Sequence, residues 1–309
     1  MRATQTEGLP KMRHHRFLAA PAVAALLSVA LAGSALAQPA PGERPRGGLT
    51  AEQEAELSHT HDGYYGALAP QNLHRKRPKA PADFTGTWFI NLRRAFSDFM
   101  FGPPYPEFGP EGQKAMKEAA AANAAHVPYR DTIGQCFPAG MPMITTRVWP
   151  VNVIQLPTAI FITYAFTNSF REIYMDGRKF SDPDTVVHSY NGESIGHWEG
   201  KTLVVHTKYI EPRNHYIDMG IPVDDNFEIT ERWNLLDQGK TQQIDFIMTD
   251  PSMWKGEWRS TKRWIRKDNS DVPEVECLPD LNQHLPGTAE GHQAIEDREK
   301  AAAAAAPGK

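Results

Sequence analysis

The chain has 309 residues, 33 Lys+Arg against 37 Asp+Glu, a formal net charge of −4 and 40% hydrophobic residues. That length allows one large domain with extensions and a sizeable core. A mildly acidic chain without a basic stripe is a poor match for phosphate backbones, which excludes nucleic acid as a partner.

The first expected element, in chain order, is an export signal over residues 1–37. Lys11, Arg13 and Arg16 precede an apolar run over 17–32, which relaxes into Gly33-Ser34-Ala35-Leu36-Ala37. Small residues at 35 and 37 fit a signal-peptidase site, leaving Gln38 first; Met12 is a rival start with a shorter charged region. The run falls short of the ~20 apolar residues a span needs, and no second one follows, so no membrane span is expected after cleavage. Removing 1–37 lowers Lys+Arg from 33 to 29 and Asp+Glu from 37 to 36, a mature charge near −7. The expected location is the bacterial periplasm or the exterior.

Residues 38–82 are rich in Pro, Gly, Ala and charge, which suits an extended N-terminal arm with a short helix near 49–57. Residues 110–126 carry strong helix formers and few large apolar side chains, the pattern of a surface helix. Nine short β-branched or aromatic runs, 84–90, 151–155, 159–166, 170–175, 194–198, 202–209, 227–235, 242–249 and 256–265, are separated by Gly, Pro, Asn and Asp turns. Strand, turn, strand without intervening helices predicts an all-β domain over 83–282, an antiparallel meander closing into a barrel, with a β-sandwich as the alternative. Residues 283–309 read as a C-terminal tail.

Cys136 and Cys277 are the two cysteines. An even pair in an exported chain predicts a disulfide, and closing so long a loop stabilises by roughly 4–5 kcal/mol in the chain-entropy model. Gly86-x-Trp88 on the first strand, with Arg259 and Arg263 on the last, resembles the G-x-W and C-terminal Arg of lipocalin-type barrels. There the indole plugs one end and stacks on the guanidinium.

Three longer motifs carry a second resemblance: Arg171-Glu-Ile-Tyr-Met-Asp-Gly-Arg178, then Ser194-Ile-Gly-His-Trp-Glu-Gly-Lys-Thr-Leu-Val-Val205, then Ile229-Thr-Glu-Arg232. Together with Asp218 they resemble a large family of uncharacterised exported bacterial proteins, over residues 80–280. The resemblance implies an exported location and a barrel, and no reaction. His206 stands where relatives usually carry Asp, which changes the proton inventory at that position.

Strand alternation puts Glu231 on the apolar face with Phe227, Ile229 and Trp233. A carboxylate on a barrel's inner wall is desolvated and suits a general acid or base, unless Arg171 or Arg178 takes it up as a structural ion pair. Glu231 or His206 is therefore the candidate base, with Tyr174 and Arg171 as stabilisers of negative charge. Arg178, Trp198, Asp218 and Trp233 are the candidate ligand contacts. Asp176-Gly177 suits a tight hairpin turn by itself. The Ser194 motif lacks G-x-S-x-G, and His188, His197, His206 and His215 match no zinc spacing, so no metal is expected. With neither a Walker loop nor a Rossmann fingerprint, no cofactor is expected either. These readings converge on a barrel that binds a small apolar or aromatic molecule and performs cofactor-independent lyase or isomerase chemistry. The competing class is a non-catalytic carrier or sensor, followed by a structural envelope protein.

Overall fold

The computed structural model describes residues 49–51, 53–54, 64–91, 93, 99–126, 129–130 and 132–278. The expected signal 1–37 and tail 283–309 lie outside the described residues, as does most of the arm before residue 64. The chain falls into two units, Met1–His59 and Thr60–Lys309. In the first, the Thr50 N–H donates to Gln53 Oε1 (3.0 Å) and the Gln53 N–H to Thr50 Oγ1 (3.2 Å). This reciprocal capping box falls where the sequence predicts a helix to start.

The described residues of the second unit form thirteen strands: β1 (Gly86–Ile90), β2 (Glu107–Phe108), β3 (Val151–Gln155), β4 (Ala159–Tyr164), β5 (Ser169–Tyr174), β6 (Glu193–Glu199), β7 (Thr202–Lys208), β8 (Tyr216–Ile217), β9 (Ile221–Pro222), β10 (Glu228–Leu236), β11 (Thr241–Thr249), β12 (Trp254–Lys255) and β13 (Trp258–Arg266). The α-helices among these described residues are α1 (Pro70–Leu73) and α2 (Pro110–Ala124). Nine strands close into one barrel in the order β1-β13-β11-β10-β7-β6-β5-β4-β3, and these nine are the nine predicted from the sequence. β2 pairs β12, and β8 pairs β9, in small two-stranded sheets.

The barrel departs from a pure antiparallel meander at one place. β5 and β6 run parallel, Ile173 opposite Ser194 and Tyr174 opposite Ile195. A closed ring of nine strands cannot alternate direction at every interface, because the number of reversals around a ring must be even. One parallel pair resolves the parity, and a parallel pair needs a crossover rather than a tight turn. Residues 175–192 supply it by returning along the barrel from the end of β5 to the start of β6.

Period-2 alternation builds the wall. On β11, Gln242, Ile244, Phe246 and Met248 are buried; on β10, Ile229, Glu231 and Trp233. The turns β3–β4, β6–β7 and β10–β11 share one end with Gly86, here the turn end. From the other end the chain plugs its own barrel. Phe101 is buried edge-on against Phe246 (5.2 Å), and Lys262, on β13, donates to the Met100 carbonyl with its ammonium 4.5 Å from the Phe101 ring centroid. Trp264 Nε1 donates to the Thr145 carbonyl (3.0 Å), so residues 143–146 also reach the interior side chains.

At the turn end the Arg266 guanidinium lies 4.3 Å from the Trp88 ring centroid, and the Trp88 indole donates to the Phe84 carbonyl (2.9 Å). The Gly-x-Trp expectation thus finds its arginine at Arg266, not at Arg259 or Arg263. Arg259 pairs with Glu257, and Arg263 donates to Gln243. α2 turns Gly112, Ala115 and Ala119 inward and sits on β9. Cys136 and Cys277 form the expected disulfide, Cα to Cα 5.5 Å. Among the described residues no helix is long and apolar enough to cross a membrane.

Candidate functional site

The registers of β5, β6, β7 and β10 bring one polar side chain from each strand into a single interior cluster. Ser194 sits opposite Thr207, and Glu231 opposite Val205. Arg171 Nη1 donates to Glu231 Oε1 (3.2 Å) and its Nη2 to Glu231 Oε2. Ser194 Oγ accepts from Arg171 Nε (3.2 Å), and Thr207 Oγ1 from Nη2 (2.9 Å). Trp233 Nε1 donates to Glu231 Oε1 (3.2 Å). Neither charged side chain has any solvent exposure. Burial works against the charge on Arg171, but the Glu231 carboxylate beside it holds the guanidinium above its ordinary value. Burial also drives the neighbouring Tyr164 phenol up, so it stays a neutral hydroxyl. The carboxylate expected as a base is therefore committed to Arg171 and Trp233, the structural alternative weighed from the sequence.

The other expected catalytic groups lie outside the wall. His206 Nε2 is 2.9 Å from Glu228 Oε2, and Lys208 shares that carboxylate (2.7 Å). The imidazole meets Phe180 of the 175–192 crossover edge-on at 5.3 Å. Tyr174 lies under Arg178, guanidinium carbon 3.8 Å from the ring centroid, and burial followed by the Glu172 charge pushes its phenol up to about 12. Arg178 in turn grips Asp176 (2.6 Å). Burial alone would raise the Asp176 carboxyl, but hydrogen bonds from Arg178 and Asn72 take it below its ordinary value.

That last cluster fastens the N-terminal arm to the barrel. Asn72 Nδ2 donates to Asp176 Oδ2 (2.9 Å), and Arg178 Nη2 to the Tyr65 carbonyl (3.2 Å). Held at α1, residues 73–83 pass over the turn end and leave a groove of about 920 Å³ between arm and wall. Such a volume falls in the usual range of a small-molecule site. On the wall side its apolar surface comes from Leu156, Met175 and Trp198, with Ile160 buried beneath them. Trp198 is stacked on Phe84 (6.1 Å, 12°), and Phe84 rests edge-on against Trp233 (5.6 Å). The indole is thus supported from the core side. At Gly196 a Cβ would stand 2.5 Å from Met175 Sδ, so glycine there makes room for the methionine.

Arg75, Lys76 and Lys79 line the opposite, arm side. Arg77 on the same run donates to the Asn72 carbonyl and side chain instead. The groove's two acids are also engaged, Asp176 as above and Asp83 by the Thr85 N–H (2.9 Å). A smaller depression of about 610 Å³ lies beside β2 and β12 and contains none of the sequence-predicted residues.

Of those residues, Trp198 lines the groove and Arg178 positions its edge through Asp176. Trp233 supports it from the core through Phe84. Asp218 is at the far end, where its partly buried carboxyl accepts the Phe101 N–H; burial raises it, against that hydrogen bond and the Arg147 and Lys262 charges. His188, His197 and His215 contact Asp225, Glu199 and the Glu211 carbonyl, three separate places. The arm cations escaped the sequence reading, although the run His74-Arg75-Lys76-Arg77-Pro78-Lys79 directly ahead of the first strand was the available signal. No protein-family model matches the chain, and no curated protein matches it significantly.

Proposed function

We propose that the protein is a carrier or sensor that binds a small, largely apolar or aromatic molecule in the turn-end groove, outside the cytoplasm. The observation that carries this reading is the groove itself. It offers a supported tryptophan face and aliphatic neighbours, with enough room for a multi-ring ligand. The export signal expected over 1–37 and the Cys136–Cys277 disulfide support an oxidising compartment.

Lyase or isomerase chemistry is the reading the sequence favours by itself. It requires a proton acceptor that a substrate can reach. Glu231 is sealed in an ion pair, and His206 shares Glu228 with Lys208 on the outer wall. Binding without turnover therefore fits the placement of these groups better.

The test is titration of the purified protein with a panel of aromatic and terpenoid compounds, followed by tryptophan fluorescence and thermal shift. Binding should weaken about tenfold or more in Trp198→Ala, the loss typical of a stacked aromatic contact. A panel without any binder, or binders indifferent to Trp198→Ala, would sink the reading. Product formation from a bound compound would return the protein to the lyase or isomerase class.

A further inference from the structure

Resting on the turn-end groove as the binding site, we infer that its ligand is an amphipathic anion: an aromatic or branched hydrocarbon body with one carboxylate, sulfonate or phosphate end. The two sides of the groove differ in charge. The barrel side presents Trp198, Met175 and Leu156, while the arm side interleaves Leu73, Pro78 and Ala80 with Arg75, Lys76 and Lys79. Among the described residues these three cations have no ion-pair partner, and all three are exposed. Of the groove's other charges Asp176 is ion-paired, while Asp83 and Arg77 keep opposite charges and are held by neutral hydrogen-bonding groups, so the excess is positive. Asp176 is held by Arg178 and Asn72, Asp83 by the Thr85 N–H, and Arg77 by Asn72.

The wider charge balance sharpens the contrast. The whole chain is net −4, so three uncommitted cations along one rim form a local reversal of sign. A cationic ligand is repelled by that rim, and a neutral one makes no use of it. An anion gains charge-assisted hydrogen bonds there, while its body covers the indole. A polyanion would need a longer basic track than the short arm provides.

The discriminating probes are 2-naphthoate and its neutral near-isostere 2-naphthamide, titrated by tryptophan fluorescence. They are applied to the wild type and to a variant combining Arg75→Gln, Lys76→Gln and Lys79→Gln, whose substitutions lie on exposed side chains and whose folding is checked by thermal melting. The wild type should prefer the acid by about tenfold, and that preference should fall towards unity when salt is raised from about 0.01 M to about 0.15 M, because the pairs are exposed to screening. The triple variant should bind both probes with the affinity the wild type shows for the amide. Equal wild-type affinity for acid and amide, or a preference that persists in the triple variant, overturns the anion assignment and leaves the small-molecule reading standing. Acetate competing as well as naphthoate overturns the amphipathic part, since the groove would then hold an anion without using its apolar side. Failure of both probes and of the wider aromatic panel overturns the inference and the binding reading together.

Discussion

The side chains of Arg171 and Glu231 each satisfy a charge that the barrel interior could not otherwise hold. Removing one partner leaves the other buried and unpaired, so Glu231→Gln should cost about 3–5 kcal/mol in urea denaturation, the range for breaking a buried pair. Replacing both, Arg171→Met with Glu231→Leu, should cost clearly less than the sum of the two single variants. Additive losses would show that the two groups do not act as a pair. His215 makes a pH prediction. Burial lowers its imidazole from 6.5 to about 4, while Nδ1 lies 2.9 Å from the Glu211 carbonyl. Between these values the unfolded chain binds the extra proton and the folded chain does not, so stability falls as pH drops from about 6.5 to about 4. The full loss is roughly 3 kcal/mol. Asp250 runs the other way: burial raises its carboxyl from 3.8 to about 6, so its contribution falls as pH rises through that window. The two trends overlap, and the His215 share is read as the difference between wild type and His215→Gln. Identical pH slopes in the two proteins would remove His215 from the account.

Gly86 at the start of β1 shows how one backbone position secures the closure of the sheet. Its φ of +147° suits glycine, and a Cβ there would stand 2.3 Å from Arg266 Nη1. That guanidinium stacks on Trp88, donates to the Gly239 carbonyl (3.0 Å) and to that of Thr85 (2.6 Å), and so ties the β10–β11 turn to β1. Gly86→Ala should lower stability by about 1–3 kcal/mol, the cost of crowding a packed site, and Arg266→Ala should relieve part of it. If the alanine is as harmful without the guanidinium as with it, crowding against Arg266 is not the cause. The strands themselves were legible because period-2 patterning and turn residues are local signals. Arg266 was missed because the predicted last strand stops at 265, while the register sets Trp88 directly opposite Arg266. The parallel β5–β6 pair was hidden for a different reason. Parity is a property of the closed ring, and residues 175–192 carry no sign of the direction in which the chain returns. The candidate site was legible in part: Trp198 could be singled out, whereas the fate of Glu231 depended on four strands being in register.

A barrel filled by its own chain places function at its ends, and the two ends of this molecule are built differently. The far end carries the plug, Asp218 and the disulfide, with Cys136 and Cys277 beside the β4–β5 turn residues Thr167 to Ser169. The turn end carries the groove. The bridge spans 141 positions and encloses every barrel strand except β1. In the chain-entropy model a loop of that size stabilises by about 5 kcal/mol, mostly by restricting the unfolded chain. A Cys136→Ser, Cys277→Ser variant should therefore lose up to that amount in urea denaturation, and the gap from wild type should vanish once a reductant opens the native bridge. Because the restriction acts on the unfolded state and the cysteines sit away from the groove, affinity at the turn end should be unchanged wherever the variant is still folded. Parallel measurement of the denaturation midpoint and of naphthoate affinity checks both halves of this statement. A fall in affinity matching the fall in stability would mean that the plug end and the groove are energetically coupled, with the barrel transmitting strain between them.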